Sequence, residues 1–516
     1  MNSKWIKTAA ILVVLALVVW LPKLLLILVA INLAVSLFVL GLQAVLVGLP
    51  RKQMEQRSLE GEQPFISIHV PAHNEPPEML KETLRALSEL DWDNYEVLLI
   101  DNNTTDKSLW EPIAEYCEEL GPKFRFFHLE NLKGFKAGAM NYIREHMDKR
   151  TEFIFVIDAD YVVQPNAIKR GLAYFTDAQV GMVQFPQDYR NQCAGNRGIT
   201  LDFKHFFAAY MTMANRLNCV PSTGTLSFLR IEALRAVKGF GTEVITEDAD
   251  LGLRLGMKGF RSVYAHETIG RGVMPHDLPS LKKQRWRWAF GNAQILKLNG
   301  RMLLGNPKMT VVQKLGYFSH LTAWFNFNLV PTFALILLVP LFLLGKDVPV
   351  HSQVATLSGA TLVFWLLLRF SVFHSGLSRD KHSLKDIMAA FITHIGLGWV
   401  YSSSWLKCLV DHRSAFVRTN KFLSKKVPDA LRATLTETFL GLALAAAFVV
   451  AVTQGLVIAA IAAFLLGFAR LSIHWVDLQM RRTYELSLAI EAKEAKARAA
   501  SSDEASVFAL ESRTTG

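Results

Sequence analysis

Two long apolar blocks bracket a polar middle, and a water-soluble fold cannot bury both. Leu, Val, Ala, Ile and Phe dominate Trp5 to Leu49 and again Phe318 to Val476. A helix that crosses the hydrocarbon core needs roughly 20 such residues, so both blocks predict membrane helices. Trp5 to Leu21 is marginal in length and Leu24 to Leu49 is ample, with Pro22 and Lys23 predicted to turn the chain between them. Lys4 and Lys7 ahead of the first run imitate a secretory leader, but a second apolar run follows at once, which favours a retained hairpin. Phe325 to Leu344 with Val354 to Phe373, and Phe439 to Val452 with Leu456 to Ile473, bring the expectation to about six crossings.

The net charge of +11 is compatible with a nucleic-acid surface or with a membrane protein whose cytoplasmic flanks are basic. The basic residues sit beside the apolar runs, as Arg51, Lys52 and Arg57, Arg379 and Lys381, Lys421, Lys425 and Lys426, Arg481 and Arg482. That distribution follows the positive-inside rule and makes the lipid bilayer the partner, with no nucleic acid expected. It also assigns the polar middle to the cytoplasmic side of a plasma or bacterial inner membrane. Asp386 to Leu409 is interrupted by His394, Ser402, Ser403, Ser404 and Lys407. If that segment crossed, the basic stretch Arg413 to Lys426 would fall outside, so 386–410 is predicted to lie in the interface. Four cysteines, Cys117, Cys193, Cys219 and Cys408, have no zinc spacing and no disulfide pattern.

Within the middle, Phe65 to Val70, Glu96 to Ile100, Phe124 to His128 and Glu152 to Ile157 read as buried strands. Pro77 to Leu90, Lys107 to Leu120 and Lys136 to Met147 read as the helices between them. Alternation of this kind predicts an α/β domain on a mostly parallel sheet, with ligands at the carboxyl ends of the strands. The expected organisation is a transmembrane hairpin over 1–50, the α/β domain over 51–305, membrane helices over 306–480 and a cytoplasmic tail over 481–516.

Carboxylates fall where strands should end. Asp101 closes EVLLID, Asp158 and Asp160 close EFIFVIDAD, and Glu247 and Asp248 lie in ITEDAD. A paired Asp-x-Asp at such a tip holds a divalent cation through oxygen ligands, and the cation neutralises a diphosphate. A bare D-x-D is otherwise a solvated turn; the unbroken apolar strand before it and the second acidic cluster favour the metal.

The motifs VPAHNE (Val70 to Glu75), LLIDNNTTD (Leu98 to Asp106), GFKAGAMN (Gly134 to Asn141), DAD (Asp158 to Asp160), TED (Thr246 to Asp248) and QRWRW (Gln284 to Trp288) occur in this order. In them the chain resembles a processive family 2 glycosyltransferase, cellulose-synthase-like and of the bacterial β-glucan synthase type, over roughly Pro64 to Leu296. The resemblance implies a GT-A type domain that polymerises glucose from UDP-glucose into a β-glucan and moves it across the membrane. By position, it implies that Asp101 contacts the base and Lys136 lies near the UDP. Asp158 and Asp160 would hold the sugar-nucleotide and a Mg²⁺ or Mn²⁺ ion. Asp248, beside Glu247, would deprotonate the acceptor hydroxyl, with Thr246 on the acceptor side. Gln284 and Arg287 would grip the diphosphate and Trp288 would stack on the acceptor sugar. QRWRW otherwise reads as a basic amphipathic helix on the membrane surface. Phe416 to Lys421, FVRTNK, resembles a gating loop that covers the nucleotide, with Thr419 and Lys421 on the nucleotide side. Arg418 departs from that pattern, which leaves linkages other than cellulose open; the alternative for this stretch is a basic linker. The partners implied are a UDP-sugar, a growing polysaccharide and accessory export subunits. Single-sugar transfer to a lipid carrier, or a nucleotide-binding scaffold or transporter, are the competing readings.

Overall fold

The computed structural model describes residues 3–343, 349–414, 430–490 and 492–493. A single helix, α1 (Ser3–Gly48), leads into the α/β domain. There β1 (Phe65–Ala72), β2 (Tyr95–Asn102), β3 (Phe124–Leu129) and β4 (Thr151–Val156) pair in parallel. The crossovers are α2 (Pro77–Ser88), α3 (Lys107–Glu119) and α4 (Phe135–Arg144). Every residue of β2 is buried, so both sheet faces are covered, which is why EVLLI shows no polar alternation. On α2, Leu80, Leu84 and Leu87 recur at helical spacing and are among the residues buried against the sheet.

Beyond β4 come β5 (Val162–Val163), α5 (Ala167–Leu172), β6 (Val180–Gln184), β7 (Asp188–Tyr189), α6 (Arg197–Phe206), α7 (Thr212–Arg216) and β8 (Ser227–Arg230). Then follow α8 (Ile231–Ala236), α9 (Glu247–Lys258), β9 (Arg261–Tyr264) and β10 (Gly270–Gly272). The main sheet has the order β3-β2-β1-β4-β8-β6-β9, with β8 antiparallel to its neighbours, and β5, β10 and β7 form a small second sheet. Strand order reverses at β1, between β2 and β4. The crevice above the carboxyl ends of those strands is the place where such a sheet binds ligands.

The remaining helices are α10 (Leu278–Gly305), α11 (Val311–Leu321), α12 (Leu329–Leu343), α13 (Pro349–Leu377), α14 (Leu384–Gly396), α15 (Gly398–Val410), α16 (Ala430–Thr453) and α17 (Val457–Leu471). Among the described residues, four helical stretches are long and apolar enough to cross a membrane: Leu21–Gly48, Pro349–Asp380, Leu431–Thr453 and Val457–Ile490. Their exposed residues are large and apolar, among them Ile31, Phe38, Leu442, Phe464 and Phe468, which suits contact with lipid. The Arg379 guanidinium hydrogen-bonds the carbonyls of Val47 and Leu49, satisfying the C-terminal end of α1, and Arg51 pairs with Asp380. The ends of α1 and α13 are thereby held together, on one side.

Three expectations about this part are corrected. The hairpin at Pro22 is absent: α1 runs through Pro22 without a turn. Proline removes one backbone hydrogen bond, but Leu21 to Leu24 contains no Gly, Asn or Asp to reverse the chain. With the hairpin goes one of the expected crossings, and α12, as described, is a 15-residue helix, shorter than a span. The interfacial segment is two 13-residue helices, α14 and α15, broken at Leu397. The flanking glycines permit the break and the close packing: a Cβ on Gly398 would stand 2.4 Å from the Arg470 guanidinium. Finally, the helix continues past 481 to Ile490 and docks on the α/β domain, so the tail does not begin there. Asn196 Nδ2 donates to Thr483 Oγ1 at 2.9 Å and Asn191 Nδ2 to Ser487 Oγ at 3.2 Å.

Candidate active site

The site is built on four chain segments. Following β4, the backbone N–H of Asp158 donates to Thr225 Oγ1 at 3.0 Å, which fixes the start of the Asp-Ala-Asp turn. Asp160 is buried and its Oδ2 accepts from the Val273 N–H at 3.0 Å. Lys136 reaches across from α4, its Nζ 2.5 Å from Asp158 Oδ1 and 2.8 Å from the Gly224 carbonyl. The glycines of GFKAGA make that approach possible: Gly134 has φ +87°, and a Cβ on Gly138 would stand 2.0 Å from the Lys133 carbonyl.

Thr246, Glu247 and Asp248 form the start of α9, where the helix dipole favours carboxylates. Asp248 Oδ1 accepts from the Ala249 N–H at 2.8 Å. Gly224, with φ +78°, lies against the other oxygen: a Cβ there would sit 2.8 Å from Asp248 Oδ2. Gln284, Arg287 and Trp288 occupy positions i, i+3 and i+4 of α10, one face of the helix, and that face looks into the crevice. Gly291 lets α10 close onto Thr246, whose hydroxyl a Cβ would meet at 2.2 Å.

One cavity of about 410 Å³ gathers these side chains. Lys136, Asp158, Asp160, Thr246, Glu247, Asp248, Gln284, Arg287 and Trp288 all line it. Asp101 does not line it, contrary to expectation. Its carboxylate is buried and satisfied internally, accepting from Thr104 Oγ1 at 2.8 Å and lying 3.3 Å from His128 Nδ1. Asn102 and Asn103 face the cavity in its place. Thr419 and Lys421 lie outside the described residues. His276 does not line the cavity; its Nδ1 is 3.1 Å from Ser487 Oγ. Sequence reasoning gave no role to His73, Gln187 or Tyr189, which do line it. The usable signal was position, since His73 follows β1, Gln187 lies between β6 and β7, and Tyr189 ends β7.

Burial, followed by the charge of Asp248, raises the Glu247 carboxyl above its ordinary range, against the pull of Lys136 and Arg287. Burial likewise raises Asp248, opposed first by Lys136. For Lys136 burial disfavours the ammonium, but Asp158 and Glu247 outweigh it and its pKa is raised. Burial lowers Arg287, while Glu247, Asp248 and Asp158 hold its charge. The cavity therefore offers two cations suited to an anionic ligand, beside two buried carboxyls whose pKa values are raised.

Among the described residues, no three His, Cys, Asp or Glu side chains converge on a cation site. Asp158 and Asp160 are hard oxygen donors on one turn, and Mg²⁺ commonly binds through one or two carboxylates plus substrate phosphates and water. The donor set fits such an ion when phosphates complete it.

Behind Trp288 is a buried ion pair. Arg285 Nη2 lies 2.6 Å from Asp202 Oδ2, with both side chains fully enclosed, and His394 Nδ1 lies 3.1 Å from the other oxygen. The guanidinium sits over the rings of Phe203, Trp288 and Trp324 at 4.0, 5.0 and 5.0 Å. It joins α6, α10 and α14 behind the tryptophan that faces the cavity.

A mostly parallel sheet with carboxylates at its strand tips, a cation-lined crevice and long apolar helices on either side define the fold: a GT-A-like α/β domain flanked by candidate membrane-spanning helices. Comparison with known proteins agrees. The model described as glycosyl transferase family group 2 matches residues 153–401, and that described as glycosyl transferase family 2 matches residues 67–237. Together the two models span residues 67–401, so this part of the chain is similar to glycosyl transferase family 2, and cellulose-synthase-like proteins are among its relatives. It is 27% identical over 252 residues to a probable glucomannan 4-beta-mannosyltransferase 3 of Oryza sativa subsp. japonica, covering 47% of this chain and 45% of that protein. It is 24% identical over 273 residues to the cellulose synthase 1 catalytic subunit (UDP-forming) of Komagataeibacter xylinus, covering 51% of this chain and 35% of that one. The match thus spans about half or less of these relatives' length. A solved mannosyltransferase from Pyrobaculum calidifontis, in complex with GDP-mannose and Mn²⁺, shares the fold at 18% identity and a TM-score of 0.51, over 72% of this chain and 99% of that one.

Proposed function

We propose that this chain transfers hexose units successively, with inversion, from a nucleoside diphosphate sugar to a growing β-linked polysaccharide, and that its membrane helices carry the product out. UDP-glucose is the donor proposed first and a β-glucan the product. One observation carries the reading: Asp248 and Trp288 share a single cavity with Lys136, Asp158, Asp160 and Arg287. An inverting transfer needs a base on the acceptor side and positive charge on the leaving side of one anomeric carbon. Asp248 removes the proton from the attacking hydroxyl, and its raised pKa suits a group that must accept that proton near neutrality. Arg287 and Lys136 hold the diphosphate, Arg287 with a planar fork that matches phosphate oxygens. Trp288 offers a flat apolar face to the acceptor ring.

Asp158 and Asp160 would hold a Mg²⁺ or Mn²⁺ ion, which supplies neutralising charge to the phosphates when bound. The Mn²⁺ of the Pyrobaculum mannosyltransferase supports that assignment. Thr419 and Lys421 are assigned to the nucleotide side and Asp101 to supporting Asn102 and Asn103. The basic flanks support a cytoplasmic location for the cavity.

A second donor is favoured by the relatives named glucomannan mannosyltransferases, which make GDP-mannose the alternative to UDP-glucose. The test is incubation of the purified protein with each radiolabelled donor, followed by sizing and linkage analysis of the product. Long β-linked chains from one donor support the proposal. A single transferred sugar removes processivity, and no transfer from either donor removes the function.

A further inference from the structure

A second, smaller cavity of about 60 Å³ adjoins the first and shares Gln187, Thr223, Thr246, Asp248 and Trp288 with it. Phe206 and Trp324 line it, and Asn292 and His320 are among its polar side chains. The volume suits a few water molecules, so it admits the hydroxyl-bearing edge of a sugar rather than a whole ring.

His320, on α11, is 2% exposed. Its Nε2 is buried without a hydrogen-bond partner, so the bond it makes to the Cys219 backbone comes from Nδ1. That bond favours the protonated nitrogen, so Nδ1–H is the donor and a carbonyl accepts. Burial lowers the ring's pKa to about 3, which keeps it neutral. A neutral imidazole with its proton on Nδ1 presents a bare lone pair on Nε2. An unmatched acceptor on a residue that lines an aromatic-walled cavity is costly until a donor arrives, and a small side-chain adjustment that opens Nε2 to the cavity would bring it to the sugar hydroxyls seated on Trp288.

We propose that His320 Nε2 accepts a hydrogen bond from a non-attacking hydroxyl of the acceptor sugar seated on Trp288, with Asn292 in the same cavity. The grip fixes the rotation of that sugar about the Trp288 face, and thereby which hydroxyl meets Asp248. His320 is then a determinant of acceptor affinity and linkage. This rests on the transferase reading above.

The test uses the full-length protein, the donor that supports transfer and short β-linked glucose or mannose oligosaccharides as acceptors. His320→Phe, which keeps the ring and loses the lone pair, should raise the acceptor KM about tenfold, as for one lost hydrogen bond. The donor KM should stay within about threefold, and the linkage should broaden. His320→Gln, which retains an acceptor oxygen, should recover most of the acceptor affinity. In the wild type, removing one particular non-attacking hydroxyl from the acceptor should raise KM, and in His320→Phe the same removal should cost nothing. Unchanged acceptor KM and linkage in His320→Phe overturn the proposal. Should that variant fail to fold, the wild-type deoxy series decides: no sensitive non-attacking hydroxyl also overturns it. Absence of any transfer by the wild type removes the transferase reading itself, a separate and recognisable outcome.

Discussion

Replacing Arg285 by Met should destabilise the protein strongly while leaving the volume behind Trp288 nearly filled. Both members of the Arg285–Asp202 pair are enclosed at a separation of 2.6 Å, so the variant leaves a buried carboxylate without its main counter-charge. Breaking such a pair costs about 3–5 kcal/mol. His394 stays 3.1 Å from Asp202, which places the effect at the lower end, about 3 kcal/mol. For a domain of 150–250 residues, about 2–4 °C of Tm accompanies each kcal/mol, so a fall of about 6–12 °C is expected. The assay is thermal unfolding in detergent, followed by tryptophan fluorescence. The double variant Arg285→Met with Asp202→Leu removes both charges and should recover most of the loss, since an apolar replacement of a buried pair is often neutral. A shift under about 2 °C in Arg285→Met, or a double variant worse than the sum of the singles, would refute the reasoning.

The raised carboxyl at Asp248 sets the sign of the pH dependence. Transfer needs the ionised base, so kcat/KM should rise with pH through a limb above the ordinary carboxylate value of about 4; a limb at or below 4 contradicts it. Stability runs the other way, because a carboxyl raised by burial favours the protonated folded state. Its contribution is present below about 4 and is lost as pH rises through the raised value, which thermal melts of the unliganded protein should register. Gly224→Ala places a Cβ 2.8 Å from Asp248 Oδ2 at a φ of +78°, so kcat should fall at least about tenfold at a strain cost of about 1–3 kcal/mol; wild-type turnover would show that Asp248 is not held there.

Much of the α/β domain could be read in advance because its signals are local. Unbroken apolar runs such as EVLLI mark strands covered on both faces, and the carboxylates that follow them mark the crevice. Gln284, Arg287 and Trp288 have the i, i+3, i+4 spacing that any helix puts on one side. What was not legible depends on partners distant in the chain. Asp202, Arg285 and His394 are each ordinary in their own segments, and only the packing of α6, α10 and α14 makes them one network. Asp101 ends a strand as Asp158 does, but Thr104 and His128 draw its carboxylate away from the cavity. Pro22 looked like a turn, although nothing beside it permits a reversal. The helix beyond 481 looked like a charged tail because Arg481 and Arg482 follow the last apolar run, and the partners that hold it, Asn196 and Asn191, lie on the α/β domain.

Asp248→Asn, assayed for sugar transfer and, in parallel, for nucleotide-sugar binding by calorimetry, bears most directly on the central assignment. The side chain keeps its size and its place at the start of α9 but loses the capacity to take a proton. Transfer should fall about 10²–10⁴-fold, with the donor Kd within about threefold of wild type. Near wild-type transfer would contradict the account, and so would a loss of donor binding that accounts for the whole effect.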